Sequence, residues 1–291
     1  MMEILTVVAQ REATTLTPAI LNQLRNAVRG APPVVLSAGE AADIPLSGPL
    51  DQVALDAALA GRPIDAIVTK ARGRRKALLV ADMDSTIVQG ETLDELAGFA
   101  NVGEKIAAIT TRAMNGELDF KAALRERVAM LKGLDLAALE RTWREVRLTP
   151  GAIELVATMR ARGALTALLS GGFSFFTGKV TALLGFDVHR SNILLDDGSA
   201  LTGQVGEPIL DRDSKLGALI ELAAQRGVKL QATLAVGDGA NDLDMIRTAG
   251  LGVAFHAKPI VAAQARARVD HADLRALLFA QGYPASAFVT G

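Results

Sequence analysis

The sequence predicts an α/β fold: a doubly wound parallel sheet with a helical cap insertion, preceded by a small N-terminal α+β module. Three observations carry this. Apolar runs at 77–81, 165–169, 234–236 and 251–255 end abruptly in polar or Gly-rich turns, as strands of a sheet covered on both faces do. Helical patterns separate most of these runs. Residues 91–147 hold no convincing strand and several amphipathic helices.

The first seventy residues alternate between short elements. Residues 4–9 read as a strand, and Thr17-Pro18 opens a helix with Ile20, Leu21, Leu24 and Val28 at helical spacing. A short β-branched run at 34–36, a second helix at 49–60 and a strand at 64–69 complete an α+β module over 1–72. The basic run Arg72-Gly73-Arg74-Arg75-Lys76 reads as a solvated linker.

The α/β core is expected over 73–90 and 148–291. Its helices include 151–162, a stretch at 174–184 stopped by Gly185, and one at 214–225 stopped by Gly227. Residues 191–205, with Asp197-Gly198 in the middle, read as a β-hairpin. Helices near 91–100, 103–114, 119–132 and 135–146 form the cap at 91–147. Inserted after the first strand of the sheet, the cap lies over the carboxyl ends of the strands, where open α/β sheets bind ligands.

Composition narrows the function. Of 291 residues, 50% are hydrophobic and 22% charged, enough to bury a sizeable core. Lys+Arg (31) nearly balance Asp+Glu (32), so no net field draws nucleic acid or an anionic membrane. With no cysteine, disulfides, thiolate metal sites and a cysteine nucleophile are excluded, which fits a reducing compartment. No run of about 18 apolar residues occurs, and the N-terminus lacks a secretory pattern. A cytoplasmic protein is expected; a homodimer stays open.

Chemistry concentrates at the strand ends. The first gives Asp82 and Asp84, two apart and so on one side of an extended segment. The second gives Ser170-Gly171-Gly172, and the third Asp238, Asn241 and Asp242. Lys215 opens the helix before the third strand. Gathered carboxylates repel one another unless a cation is bound. Oxygen donors without Cys or spaced His favour Mg²⁺ over zinc. Such a set, with a Lys, a Ser hydroxyl and glycine amides, suits phosphate chemistry with a carboxylate nucleophile. On the cap, Phe120, Leu124, Arg127 and Leu131 share a helical face. A guanidinium among apolar neighbours there needs an anion or a route to water.

These motifs, in this order, resemble those of the haloacid dehalogenase family over about residues 76–291. Asp82-Met83-Asp84-Ser85-Thr86 is similar to its first motif, Ser170-Gly171-Gly172 to the second, Lys215 to the third and Gly237–Asp242 to the fourth. Within the family, Val88–Thr92, the cap segment 114–127 and Phe255-His256-Ala257-Lys258-Pro259 resemble the members that hydrolyse O-phospho-L-serine.

The resemblance implies Asp82 as nucleophile and Asp84 as general acid and base. It implies Mg²⁺ held by the Asp82 carboxylate, the main-chain carbonyl of Asp84, and Asp238. Ser170, the Gly171 amide and Lys215 would hold the phosphoryl oxygens, with Asn241 and Asp242 around metal and phosphate. Glu91 would meet the substrate ammonium, Arg127 its carboxylate, and Met114 and Phe120 an apolar wall. Two other readings stay open: a phosphotransferase that passes the phosphoryl group to another alcohol, and an amino-acid-sensing regulator. The N-terminal module loosely resembles the ACT modules that often bind amino acids.

Overall fold

The computed structural model describes residues 2–114 and 118–290, with the side chains of Thr111, Ala113 and Met114 outside the description. Its N-terminal part is a four-stranded antiparallel sheet with two helices. Strand β1 (Glu3–Ala9) is followed by α1 (Pro18–Ala27), β2 (Val34–Ser37), β3 (Ala41–Pro45), α2 (Gln52–Leu59) and β4 (Ile64–Lys70). The spatial order is β2-β3-β1-β4, the split βαβ arrangement. Helix α1 starts where Thr17 accepts the amide of Ile20, with Pro18 as its first residue.

Strand β3 is absent from the sequence reading, because Ala, Asp and Pro are poor strand formers. It forms because β1 pairs with it on one side and with β4 on the other. β1 is buried along nearly its whole length. Leu5, Val7 and Ala9 pack with Leu21, Leu24 and Leu55 of the two helices, while Val8 joins the core shared with the second sheet. Burial on both faces explains why 4–9 reads as a near-continuous apolar run instead of alternating.

The second sheet is six-stranded and parallel, its strands lying side by side in the order Ala267–Val269, Leu251–Phe255, Thr233–Gly237, Leu78–Ala81, Leu165–Phe173 and Val188–Asn192. After β5 (Leu78–Ala81), a narrow stem of β6 (Val88–Gln89) paired with β7 (Arg147–Leu148) leads into and out of the cap. The cap holds α3 (Thr92–Phe99), α4 (Gly103–Met114), α5 (Phe120–Ala129) and α6 (Ala137–Glu145). The core resumes with α7 (Ala152–Ala161), β8 (Leu165–Phe173), α8 (Ser174–Leu184) and β9 (Val188–Asn192). Then follow the hairpin β10 (Leu194–Asp196) and β11 (Leu201–Val205), α9 (Arg212–Arg226), β12 (Thr233–Gly237), α10 (Leu243–Thr248) and β13 (Leu251–Phe255). The chain continues with α11 (Pro259–Ala262), β14 (Ala267–Val269) and α12 (Ala276–Ala280).

The expected hairpin began at Ser191, but Ser191 and Asn192 belong to the parallel edge strand β9. β14 and α12 are likewise additions. No described helix is long and apolar enough to cross a membrane.

The basic stretch after β4 differs most from expectation. Arg74 is no solvated linker residue: its guanidinium donates to both carboxylate oxygens of Asp43 (2.6 and 2.9 Å), to Thr6 Oγ1 (2.8 Å) and to the Ala280 carbonyl (3.2 Å). Buried Asp65 of β4 accepts the amides of Asp270 (2.7 Å), His271 (3.2 Å) and Ala272 (2.7 Å). Arg275 donates to Glu40 at 2.7 Å. The two sheets are therefore tied by ion pairs and amide bonds to the buried carboxylates of Glu40, Asp43 and Asp65.

Candidate active site

The site lies on the carboxyl edge of the parallel sheet, beneath the cap. β5 ends at Asp82, whose amide still bonds to the Val236 carbonyl (3.0 Å). The chain then turns sharply. Ser85 takes a left-handed conformation (φ 53°) and its amide donates to the Gly90 carbonyl (2.9 Å). A non-glycine residue held there stores strain that surrounding bonds must offset. Here Ser85 Oγ donates to Glu91 Oε1 (2.9 Å), which brings the first cap residue back over the strand end.

The Asp82 carboxylate accepts the Met83 amide (2.8 Å) and faces Lys215 Nζ (2.8 Å). Lys215 leaves the first turn of α9, a helix capped by reciprocal bonds between Asp211 and Ser214. Its ammonium is almost fully buried and also donates to Asp242 Oδ1 at 2.7 Å. Burial opposes its charge, yet Asp242 and Asp82 outweigh that and raise its pKa.

Oxygens of Asp82, Asp238 and Asp242 lie within 4.8 Å of one another, all buried. Asp242 is fully enclosed and accepts the Gly239 amide (3.0 Å). A Cβ at Gly237 would meet the Asp242 carboxyl carbon at 2.4 Å, so glycine is required there. Burial pushes the Asp238 carboxyl up to about 6, with Asp82 and Glu91 adding to the effect and Lys258 and Lys215 opposing it. Asp242 is pushed up by burial and Asp82 against the pull of Lys215. One buried ammonium thus pairs with two of the three clustered carboxylates. All donors are oxygen, so the residues fit a hard divalent cation, which would relieve the excess charge.

Asp84 is turned away from this cluster. Its Oδ1 accepts the Thr92 amide at the start of α3 (2.9 Å), and its Oδ2 accepts Ser170 Oγ (3.2 Å). Burial, then the charge of Glu91, raises it to about 7. A group near neutrality in pKa both gives and takes a proton readily. Ser170 Oγ also accepts the Gly172 amide (2.8 Å), and a Cβ on Gly172 would come within 2.7 Å of Asp84 Oδ2.

Together these groups bound a cavity of about 150 Å³. Asp82, Asp84, Gly171, Asp238 and Asn241 line its core side, and Glu91, Phe120 and Arg127 its cap side. Glu91 is pushed up by burial, offset by Ser85 and Lys258. Arg127 is pushed down by burial, offset by Asp94 and Glu91. Among the described residues it has no acidic partner within ion-pair reach. Ser170 and Lys215 lie just beneath. Of the expected site residues, only the side chain of Met114 lies outside the description; its backbone closes α4.

Two neighbours have no role in the sequence reading. Asn192, buried at the end of β9, donates to the Gly171 carbonyl (2.8 Å) and accepts the Leu210 amide (2.8 Å). Nothing local marked it. Lys258, named in the sequence only within the 255–259 segment and given no role there, also lines the cavity. A larger cleft, about 470 Å³, opens between the N-terminal sheet and the core and lacks the carboxylate cluster.

Comparison with known proteins agrees with this geometry. Residues 79–247 match the model of the haloacid dehalogenase-like hydrolases. A phosphoserine phosphatase of Streptococcus thermophilus is 47% identical over 68% of this chain and 93% of its own length. The crystal structure of a probable phosphoserine phosphatase from Vibrio cholerae, unliganded, superposes with TM-score 0.80 at 34% identity, covering 98% of this chain and 88% of that one. A phospho-aspartyl intermediate analogue of phosphoserine phosphatase gives TM-score 0.66 at 40% identity, over 70% of this chain and 98% of the other. Coverage of relatives varies: the match takes in only 56% of the phosphoserine phosphatase of Streptomyces coelicolor.

Proposed function

The chain belongs to the haloacid dehalogenase-like hydrolases, and from that premise we propose that it is a Mg²⁺-dependent phosphatase that hydrolyses O-phospho-L-serine to L-serine and phosphate. The observation that carries this is the charge layout of one small cavity. Carboxylates around Lys215 form its floor, while Glu91 and Arg127 come from the cap side; the Arg127 guanidinium donates through Nε to the Ala123 carbonyl (3.4 Å) and pairs with no acidic group among the described residues. That layout matches a molecule with a phosphate at one end and an ammonium and a carboxylate at the other. The similarity to phosphoserine phosphatases supports the same substrate.

In this reading Arg127 binds the substrate carboxylate through paired N–H donors, and Glu91 takes the ammonium. Phe120 covers the apolar stem between them. Ser170 Oγ, the Gly171 amide, Asn241 and Lys215 hold the phosphoryl oxygens. Asp82 attacks phosphorus, and Asp84 passes its proton to the departing serine oxygen. Asp84, now ionised, takes a proton from the water that attacks the aspartyl-phosphate, restoring both residues. Asp82, Asp238 and the main-chain carbonyl of Asp84, with Asp242 behind them, would hold Mg²⁺, which would supply neutralisation of the charge between nucleophile and phosphate. A cysteine-free chain suits the cytoplasm.

Arg127→Ala tests the substrate assignment. Its kcat/KM for phosphoserine should fall about 100-fold. Hydrolysis of O-phosphoethanolamine, which lacks the carboxylate, should change little. An equal fall for both substrates would discard the role of Arg127 and the amino-acid substrate with it.

A further inference from the structure

The cavity contains a cation that this mechanism does not use. The run β13 ends at Phe255 on the same sheet edge as Asp82 and Asp238, and the next turn carries Lys258 into the cavity lining. That turn is held firmly. His256 is left-handed (φ 43°), donates its amide to the Val269 carbonyl (2.8 Å), and bonds through Nε2 to the Ala272 carbonyl (2.8 Å). The Lys258 amide donates to the main-chain carbonyl of Asp238 (3.1 Å), and its own carbonyl accepts the first amides of α11. Its stem is thus anchored against the loop that carries Asp238.

Its charge faces an acidic cavity. Asp82, Asp84, Glu91 and Asp238 line the space, against Arg127 and Lys258. Lys215 is engaged by Asp82 and Asp242 below. Among the described residues no carboxylate lies within ion-pair distance of Lys258, and the residue is exposed. A phosphomonoester dianion approaching the Asp82, Glu91 and Asp238 carboxylates is repelled, and an exposed ammonium in the same lining, unpaired among the described residues, reverses that locally.

We propose that Lys258 is a substrate-recruiting residue: its ammonium contacts the incoming phosphate dianion and offsets the carboxylates around it, without taking part in the bond changes at phosphorus. The inference rests on the phosphatase reading but not on phosphoserine as substrate, since any phosphomonoester dianion meets the same charge.

The test compares Lys258→Met and Lys258→Arg with wild type, on phosphoserine and on p-nitrophenyl phosphate, at low and high salt. Lys258→Met should raise KM about 10-fold for both esters, leave kcat within about twofold, and flatten the salt dependence of kcat/KM. Lys258→Arg should restore KM. The inhibition constant of inorganic phosphate, read on whichever ester is turned over, should weaken in parallel. A fall in kcat with KM and phosphate inhibition unchanged would overturn the proposal, as would an unaltered salt dependence. If wild type cleaves only p-nitrophenyl phosphate, the phosphoserine assignment fails while the role of Lys258 is still decided.

Discussion

Two regions of this molecule bury carboxylates, and they treat them in opposite ways. Between the two sheets, Asp43 meets both arms of the Arg74 guanidinium and Thr6, Asp65 accepts three main-chain amides, and Glu40 meets Arg275. Each acid there has hydrogen-bond or ion-pair partners, although burial still raises the pKa of Asp65 against the pull of its three amides. At the carboxyl edge of the parallel sheet, one buried ammonium pairs with Asp82 and Asp242, Asp238 has no ion-pair partner among the described residues, and the pKa values of Asp238 and Asp242 are driven up. The first region uses charge to hold parts together, and removing one member of such a pair strands a buried charge. The second carries charge that the protein alone does not neutralise, as sites built for a cation and an anionic substrate do.

The contrast can be broken by substitution. The largest effect is expected from Asp238→Asn, which should cut phosphatase turnover at least about 100-fold. Without metal the same variant should be as stable as wild type or more so, since it removes a buried carboxylate whose charge is disfavoured. Thermal unfolding with and without Mg²⁺ checks both halves: wild type gains stability from the ion and the variant does not. Equal stabilisation of the two would place the ion elsewhere.

A smaller effect, confined to stability, is expected at the other region. Arg74→Ala leaves Asp43 buried without its cation and should cost about 3 kcal/mol. Urea unfolding measures that loss. Turnover per folded molecule should stay at the wild-type level, because Arg74 touches no part of the cavity. A variant that loses turnover while keeping its stability would reverse the division between the two regions.

The same contrast explains what could be read in the sequence. Groups at strand ends are announced by apolar runs that stop at Asp82, Ser170 and Asp238, so the clustered acids follow from local pattern plus a parallel sheet. The partner-satisfied acids carry no such signal. Asp43 sits in β3, whose Ala-Ala-Asp-Ile-Pro stretch forms a strand only because β1 and β2 flank it. Arg74, read as solvated, is placed by a carbonyl from residue 280 and a carboxylate from residue 43. Edge strands were obscured for a related reason: β9 pairs on one side alone, and its Val-His-Arg-Ser-Asn sequence needs no apolar face outward. Long-range satisfaction cannot be seen along a chain.

The most direct test of the account is phosphate release from O-phospho-L-serine by wild type and Asp82→Asn, each with Mg²⁺ and with a chelator. The account predicts rapid release by wild type with Mg²⁺, near-complete loss with chelator, and no release by Asp82→Asn under either condition. Release by wild type that persists in chelator, or turnover by Asp82→Asn with Mg²⁺, would contradict a carboxylate nucleophile working beside a bound cation.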